Sequence, residues 1–135
     1  MLAEAFFDAS VLLYILWEGD WRSPIATDLL FQGGTVNVQV LNEFTAVARR
    51  KLKMDFDEIQ QALAYLRALC GPVHPMTLEL HEQGISIARR TGYTIYDSLI
   101  VSAAIRAGCT ILYSEDMQHG QKIDGLMIVN PFREL

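Results

Sequence analysis

The sequence has no excess of positive charge. Eleven Lys and Arg stand against sixteen Asp and Glu, a formal net charge of -5. This excludes a general attraction for phosphate backbones or anionic membranes, so any nucleic acid must be held by a local feature. Cysteine is also scarce. Cys70 and Cys109 lie far apart without CxxC spacing or a flanking His, which points to two packed, reduced thiols rather than a disulfide or zinc site. His74, His81 and His119 have no ligand spacing. The longest apolar run, Ala9 to Trp17, is too short to span a bilayer, and the N-terminus carries neither the basic region nor the cleavage site of a signal peptide. A cytoplasmic protein is expected. Repeats, linkers and low-complexity segments are missing too.

What is present is apolar mass: 51% hydrophobic and 20% charged residues over 135 positions, enough for one domain with a sizeable core. The pattern alternates short apolar runs with helical periodicity. Ala3 to Phe7 reads as a strand, followed by a helix carrying Val11, Leu12, Ile15 and Leu16. Pro24 to Phe31 reads as a second helix, stopped at Gly33-Gly34. Thr35 to Val38 is a brief strand, and Gln39 to Leu52 a helix. Asp55-x-x-Glu58 opens a further helix as a capping box. Val73 to Pro75 is a minimal strand. Thr77 caps a helix running towards Arg90 and stopped at Gly92. The most apolar helix, Ser98 to Ala107, begins after Thr94-Ile95-Tyr96-Asp97. Cys109 to Tyr113 and Met127 to Val129 are strands. Such alternation implies a mostly parallel sheet covered by helices on both faces, with ligands bound beyond the carboxyl ends of the strands.

Within "FFDASVLLY", Asp8 is a carboxylate in a segment otherwise fit for a protein interior, where an unpaired charge is costly. Asp8 and Asp116 both fall at the carboxyl end of an apolar strand. Asp97 falls in the first turn of a buried helix, and Glu43 about one turn beyond the Thr35 to Val38 strand. Each has an ordinary structural alternative. Asp8 caps the following helix as readily as it serves a site, and Asp97 completes a capping box with Thr94. Glu43 pairs with a surface cation, and Asp116 is a turn residue. These alternatives do not explain why all four meet on one edge of the sheet. Clustered carboxylates repel, and a hard divalent cation with oxygen ligands relieves them. Mg²⁺ in particular keeps several waters for substrate phosphate, which suits hydrolysis of a phosphodiester.

The ordered set "FFDASVLLY", "VQVLNEF", "YTIYDSLIVSAA", "ILYSEDMQHGQ" and "IVNPF" resembles the PIN-domain proteins, and is most similar to the VapC-type ribonuclease toxins of bacterial and archaeal toxin–antitoxin pairs. The resemblance covers essentially the whole chain, residues 1–135, as a single PIN domain. It implies a Rossmann-like parallel β-sheet flanked by α-helices and a Mg²⁺- or Mn²⁺-dependent endoribonuclease. Asp8, Glu43, Asp97 and Asp116 are then the acidic, metal-holding site. It further implies an RNA substrate, frequent homodimers and a small antitoxin that blocks the site. Ser10 stands where many relatives have Asn, and Met117-Gln118 where some carry a further acid.

Auxiliary candidates follow. Ser10 and Ser114 are placed to hydrogen-bond Asp8 or a metal-bound water, or else to satisfy nearby backbone. Asn42 orients a ligand beside Glu43 or is exposed. Arg49, Arg50 and Lys51, with Lys53, form the densest positive patch, either an RNA contact or a solvated helix end. Trp17, Trp21 and Phe31 offer more aromatic surface than a small domain easily hides, which suggests a homodimer face. Two other functions stay open. One is a catalytically inactive PIN-fold binding module; the other is a receiver-like phosphorylation domain, for which the chain offers no evident Lys near the last strand. A haloacid-dehalogenase phosphatase would need an acid where Ser10 stands.

Overall fold

The computed structural model describes residues 4–133. Ala3, where the sequence pattern starts the first strand, lies outside them. The strand is observed as β1 (Ala5–Phe7), with Phe6 and Phe7 both fully buried, as a strand covered on both faces requires. It pairs in parallel with β4 (Ile111–Tyr113), which pairs in parallel with β6 (Leu126–Val129). On the other side of β1, a parallel bridge from Phe6 to Thr35 leads to a second parallel pair, β2 (Val36–Asn37) and β3 (Val73–His74). Thr35 grips β1 twice: its N–H donates to the Ala5 carbonyl at 2.9 Å, and its carbonyl accepts from Phe7 N–H at 3.1 Å.

One strand escaped the sequence pattern. β5 (Lys122–Ile123) runs antiparallel to β6. Two residues are too few to display alternation, but the Asp124-Gly125 turn that joins them is legible. Its residues have φ of +49° and +85°, the left-handed pair that a tight hairpin needs and that Asp-Gly favours.

The helices are α1 (Ala9–Leu12), continued by a 3-10 turn over Leu13–Leu16, then α2 (Arg22–Gln32), α3 (Val38–Arg50), α4 (Phe56–Leu69), α5 (Leu78–Thr91) and α6 (Ile95–Arg106). Their starts are chemical. Asn37 Oδ1 accepts from Val40 N–H at 3.0 Å, so α3 begins at Val38, a residue expected in the preceding strand. Asp55 and Glu58 form the anticipated capping box on α4, and Thr77 caps α5, which Gly92 closes in a left-handed conformation. Thr94 Oγ1 accepts from Asp97 N–H at 3.2 Å, starting α6 three residues earlier than its apolar run. From Ser98 to Ala104 that helix is buried at every position, and the core around it includes Phe6, Phe44, Leu112 and Ile128.

Sheet register sets the level of the functional edge. Phe7, Tyr113 and Val129 are aligned across β1, β4 and β6, so Asp8 and Ser114 leave neighbouring strands side by side. Asp8 N–H donates to the Tyr113 carbonyl at 3.0 Å and Ser114 N–H to that of Val129 at 3.0 Å.

Candidate active site

Asp8 has the extended backbone of a residue preceding a helix, yet its side chain caps nothing. It is instead an acceptor for two hydroxyls. Ser10 Oγ donates to Asp8 Oδ2 at 2.9 Å and Ser114 Oγ donates to the same oxygen at 2.8 Å. Asp8 is 3% exposed. Burial lifts its pKa from 3.8 to about 7, against the lowering effect of the two hydroxyls, and the charges of Glu43 and Asp116 add to the rise. The two serines are themselves held: Ser10 Oγ accepts from Glu115 N–H at 3.1 Å, and Ser114 Oγ from Asp116 N–H at 3.2 Å. One network thus fixes Asp8 and the loop that carries Asp116.

The other carboxylates answer to the same physics. Glu43, half-buried on α3, accepts from Gln39 Nε2 at 3.2 Å; its pKa is raised by burial first, then by Asp97 and Asp116. Asp97, half-buried in the first turn of α6, is raised by burial and then by Asp116. Asp116 keeps substantial solvent contact but sits in a concave surface. Crowding by neighbours raises its pKa first, Glu115 adds to that, and Lys51 opposes it. Four acids from four segments therefore feel one another's charge.

A cavity of about 450 Å³ opens at this edge, and its lining includes Ser10, Glu43 and Asp116 together with Trp17, Arg50 and Lys51. Asp8 lies buried behind Ser10, and Asp97 does not line the cavity. Asn42 is exposed and takes no part in the lining. His119 Nδ1 accepts from Asn130 N–H at 3.0 Å, a tie between the chain's last segments. Arg49 donates to the Met54 carbonyl at 3.0 Å and its guanidinium lies over the Phe56 ring, 4.7 Å from the centroid, so Arg50 and Lys51 rather than Arg49 line the cavity with the acids.

Residues that sequence reasoning passed over, Tyr14 and Glu115, also line the cavity, and Arg22 and Asp20 brace them from behind the lining. Glu115 accepts from Tyr14 Oη at 2.6 Å and pairs with Arg22 at 3.1 Å; Arg22 also pairs with Asp20 at 2.9 Å and lies 4.3 Å from the Tyr14 ring centroid. The only sequence signal was proximity: Glu115 adjoins Asp116, and Tyr14 and Trp17 are three residues apart. Of the aromatic residues expected on a dimer face, Trp17 faces this cavity.

The donors gathered here are carboxylate and hydroxyl oxygens, hard ligands that fit Mg²⁺ or Mn²⁺ better than zinc. Both serines converge on Asp8 Oδ2, which leaves Oδ1 for a further ligand. Among the described residues no three His, Cys, Asp or Glu side chains are close enough to form a metal cage. Cys70 and Cys109 are buried elsewhere, their thiols pushed up to about 11 by desolvation.

Comparison with known proteins bears on this edge. The family model described as PIN domain matches residues 5–122. The VapC20 toxin of Mycobacterium tuberculosis, described as cleaving the sarcin–ricin loop, superposes with a TM-score of 0.68 at 22% identity, over 83% of this chain and 89% of that one. A toxin–antitoxin complex from Klebsiella pneumoniae gives 0.72 at 16% identity, over 96% and 99% of the two chains. VapBC2 from Rickettsia felis, bound to a DNA fragment from its promoter, gives 0.63 at 17% identity, over 92% and 96%. At these identities the likeness is one of fold. No curated protein matches the chain.

Proposed function

Because the chain belongs to the PIN-domain family, we propose that it is a divalent-metal-dependent endoribonuclease, the toxin of a toxin–antitoxin pair. The observation that carries this reading is the convergence of four acids from separate segments: Asp8, Glu43 and Asp97 each lie near enough to Asp116 for its charge to raise their pKa, and among the described residues none of the four forms a salt bridge. In this reading Asp8, Glu43, Asp97 and Asp116 hold Mg²⁺ or Mn²⁺. The bound ion would neutralise charge developing on the scissile phosphate and lower the pKa of an attacking water. The protein's own contribution is orientation. Ser10 and Ser114 keep Asp8 in one rotamer and favour its ionised form, while Lys51, which lines the same cavity as Asp116, supplies a positive charge for phosphate.

The toxin part of the reading draws on the toxin–antitoxin neighbours. Carboxylates that line a concave surface attract a guanidinium, so the cognate antitoxin should present a basic side chain to Glu43 and Asp116. A cytoplasmic location and a homodimer belong to the same proposal; among the described residues no helix is long and apolar enough to cross a membrane. A second reading, an inactive PIN-fold binding module, is favoured by one observation, the lack of a ready-made metal cage. Family membership leaves the receiver-like reading without support.

The test is incubation of the purified, partner-free chain with structured RNAs in Mg²⁺ or Mn²⁺, then in chelator. Cleavage should require the metal and disappear in Asp8→Asn, Asp97→Asn and Asp116→Asn. Undiminished cleavage in excess chelator would defeat the metal mechanism. No cleavage together with no metal-induced rise in melting temperature would favour the binding module.

A further inference from the structure

We propose that the cavity beside the carboxylates binds one unpaired nucleotide next to the scissile phosphate, its base stacked on Trp17 and its phosphate held by Lys51 and Arg50. This rests on the ribonuclease reading above and names a substrate contact within it.

Trp17 is the aromatic surface left free at the site. Tyr14, its neighbour in the wall, is already engaged: the Arg22 guanidinium lies 4.3 Å from its ring centroid, and Phe132 meets it edge-on at 4.9 Å. Trp17 touches Tyr14 only in a tilted contact at 6.0 Å and remains 39% exposed, while lining the same cavity as Glu43 and Asp116. Aromatic faces of this kind take nucleobases without regard to sequence, since every base has a π face. The cavity volume, about 450 Å³, falls in the range of roughly 300–1,000 Å³ in which small ligands are bound.

The charge arrangement agrees. A chain with net charge -5 must hold phosphate by local cations, and the cavity wall supplies two. Lys51 and Arg50 line the cavity together with Asp116 and Glu43. Arg50 also borders an adjoining concave surface shared with Ala46, Arg49 and Lys53, so positive charge continues from the cavity onto its neighbour. An aromatic platform, acids and cations thus line one cavity, the three features that meet the base, the scissile phosphate and a flanking phosphate of a bound strand. In a duplex both faces of each base are covered by its neighbours, so this contact selects loops and other unpaired segments.

The experiment compares the parent, Trp17→Ala, Trp17→Phe and, as a remote aromatic control, Tyr65→Ala. Cleavage of a single-stranded RNA in Mg²⁺ or Mn²⁺ gives KM and kcat. Binding is read in an Asp97→Asn background with RNAs carrying 2-aminopurine, or an abasic sugar, at successive positions around the cleavage site. Trp17→Ala should raise KM about tenfold, the scale of one lost base stack, with kcat much less affected; Trp17→Phe should retain most of the affinity. Quenching of 2-aminopurine should occur at one position next to the cleaved bond and vanish in Trp17→Ala. An abasic sugar at that position should weaken the parent as much as Trp17→Ala does and cost that variant nothing more. Melting curves of both Trp17 variants, compared with the parent, separate this from unfolding.

A Trp17→Ala protein that cuts with unchanged KM overturns the subsite while leaving the nuclease intact. A variant that keeps its RNA affinity but no longer retains a co-expressed basic partner also overturns it, and assigns Trp17 to the antitoxin. If the parent neither binds nor cuts any RNA, the nuclease reading falls and this contact with it.

Discussion

Asp8 ionises near pH 7 in the folded chain because burial disfavours its charged form, whereas an unfolded chain releases that proton at the ordinary value of 3.8. Between those values the native state binds a proton that the unfolded state has lost. The contribution of Asp8 to the stability of the metal-free protein is therefore greatest below about pH 4, falls by up to roughly 1.4 kcal/mol per pH unit as pH rises through the window, and levels off above 7. Asp8→Asn removes this dependence. The variant should match the parent in acid, exceed it in chelator at neutral pH, and gain little from Mg²⁺. Any ion held by Asp8 must also displace its proton, so the parent's metal-induced rise in melting temperature should shrink as pH falls below about 7. Thermal melts of both proteins across this range, with and without Mg²⁺, measure all three effects. An Asp8→Asn protein that melts well below the parent without metal would return Asp8 to a structural role.

At the scale of elements, the site depends on short strands being held at a common level. The Ser114 to Asp116 loop is anchored from α1 through Ser10 and from the segments that follow it through Tyr14 and Arg22. The entry to β2 is anchored differently, by close approach. Gly71 N–H donates to the Gly34 carbonyl at 2.6 Å, and a Cβ on Gly34 would run into the ring of Phe7 and come within 3.0 Å of the Ala5 carbonyl oxygen. Phe7 is fully buried and directly precedes Asp8, so it has little room to yield. Gly34→Ala should cost about 1–3 kcal/mol, the usual range for overpacking a filled interior. The midpoint of chemical denaturation reads this out, and a neutral result would mean that the β1–β2 seam is looser than its hydrogen bonds indicate.

For the whole molecule, the surface question is which apolar groups await a partner. Trp21 and Phe31 are 56% and 63% exposed, and with Trp17 assigned to the acidic cavity they carry the proposed dimer face between them. Phe31→Glu should shift the chain towards monomer in sedimentation at micromolar concentration, while leaving single-turnover cleavage of a short RNA largely intact. A parent that sediments as a monomer would reject the homodimer.

Much of the architecture was readable because local chemistry and tertiary packing agree along this chain. Asp55-x-x-Glu58, Thr77 and Gly92 mark helix ends by satisfying backbone groups within a few residues, and the unbroken apolar run of α6 signals burial on all sides. The alternation of strands and helices, a local pattern, determined that the acids fall near one sheet edge. β5 was lost because two residues carry no period; only its turn spoke for it. What sequence spacing left open was the state of each side chain. Whether Asp8 caps α1 or accepts hydroxyls depends on Ser114, more than a hundred residues away and brought beside it by parallel pairing of β1 with β4. Trp17 opens into the cavity and Arg49 turns towards Phe56 for the same reason: a side chain's neighbours across elements are set by the register and packing of the folded chain. Sequence determined which residues reach the edge, and tertiary structure decided what each one meets there.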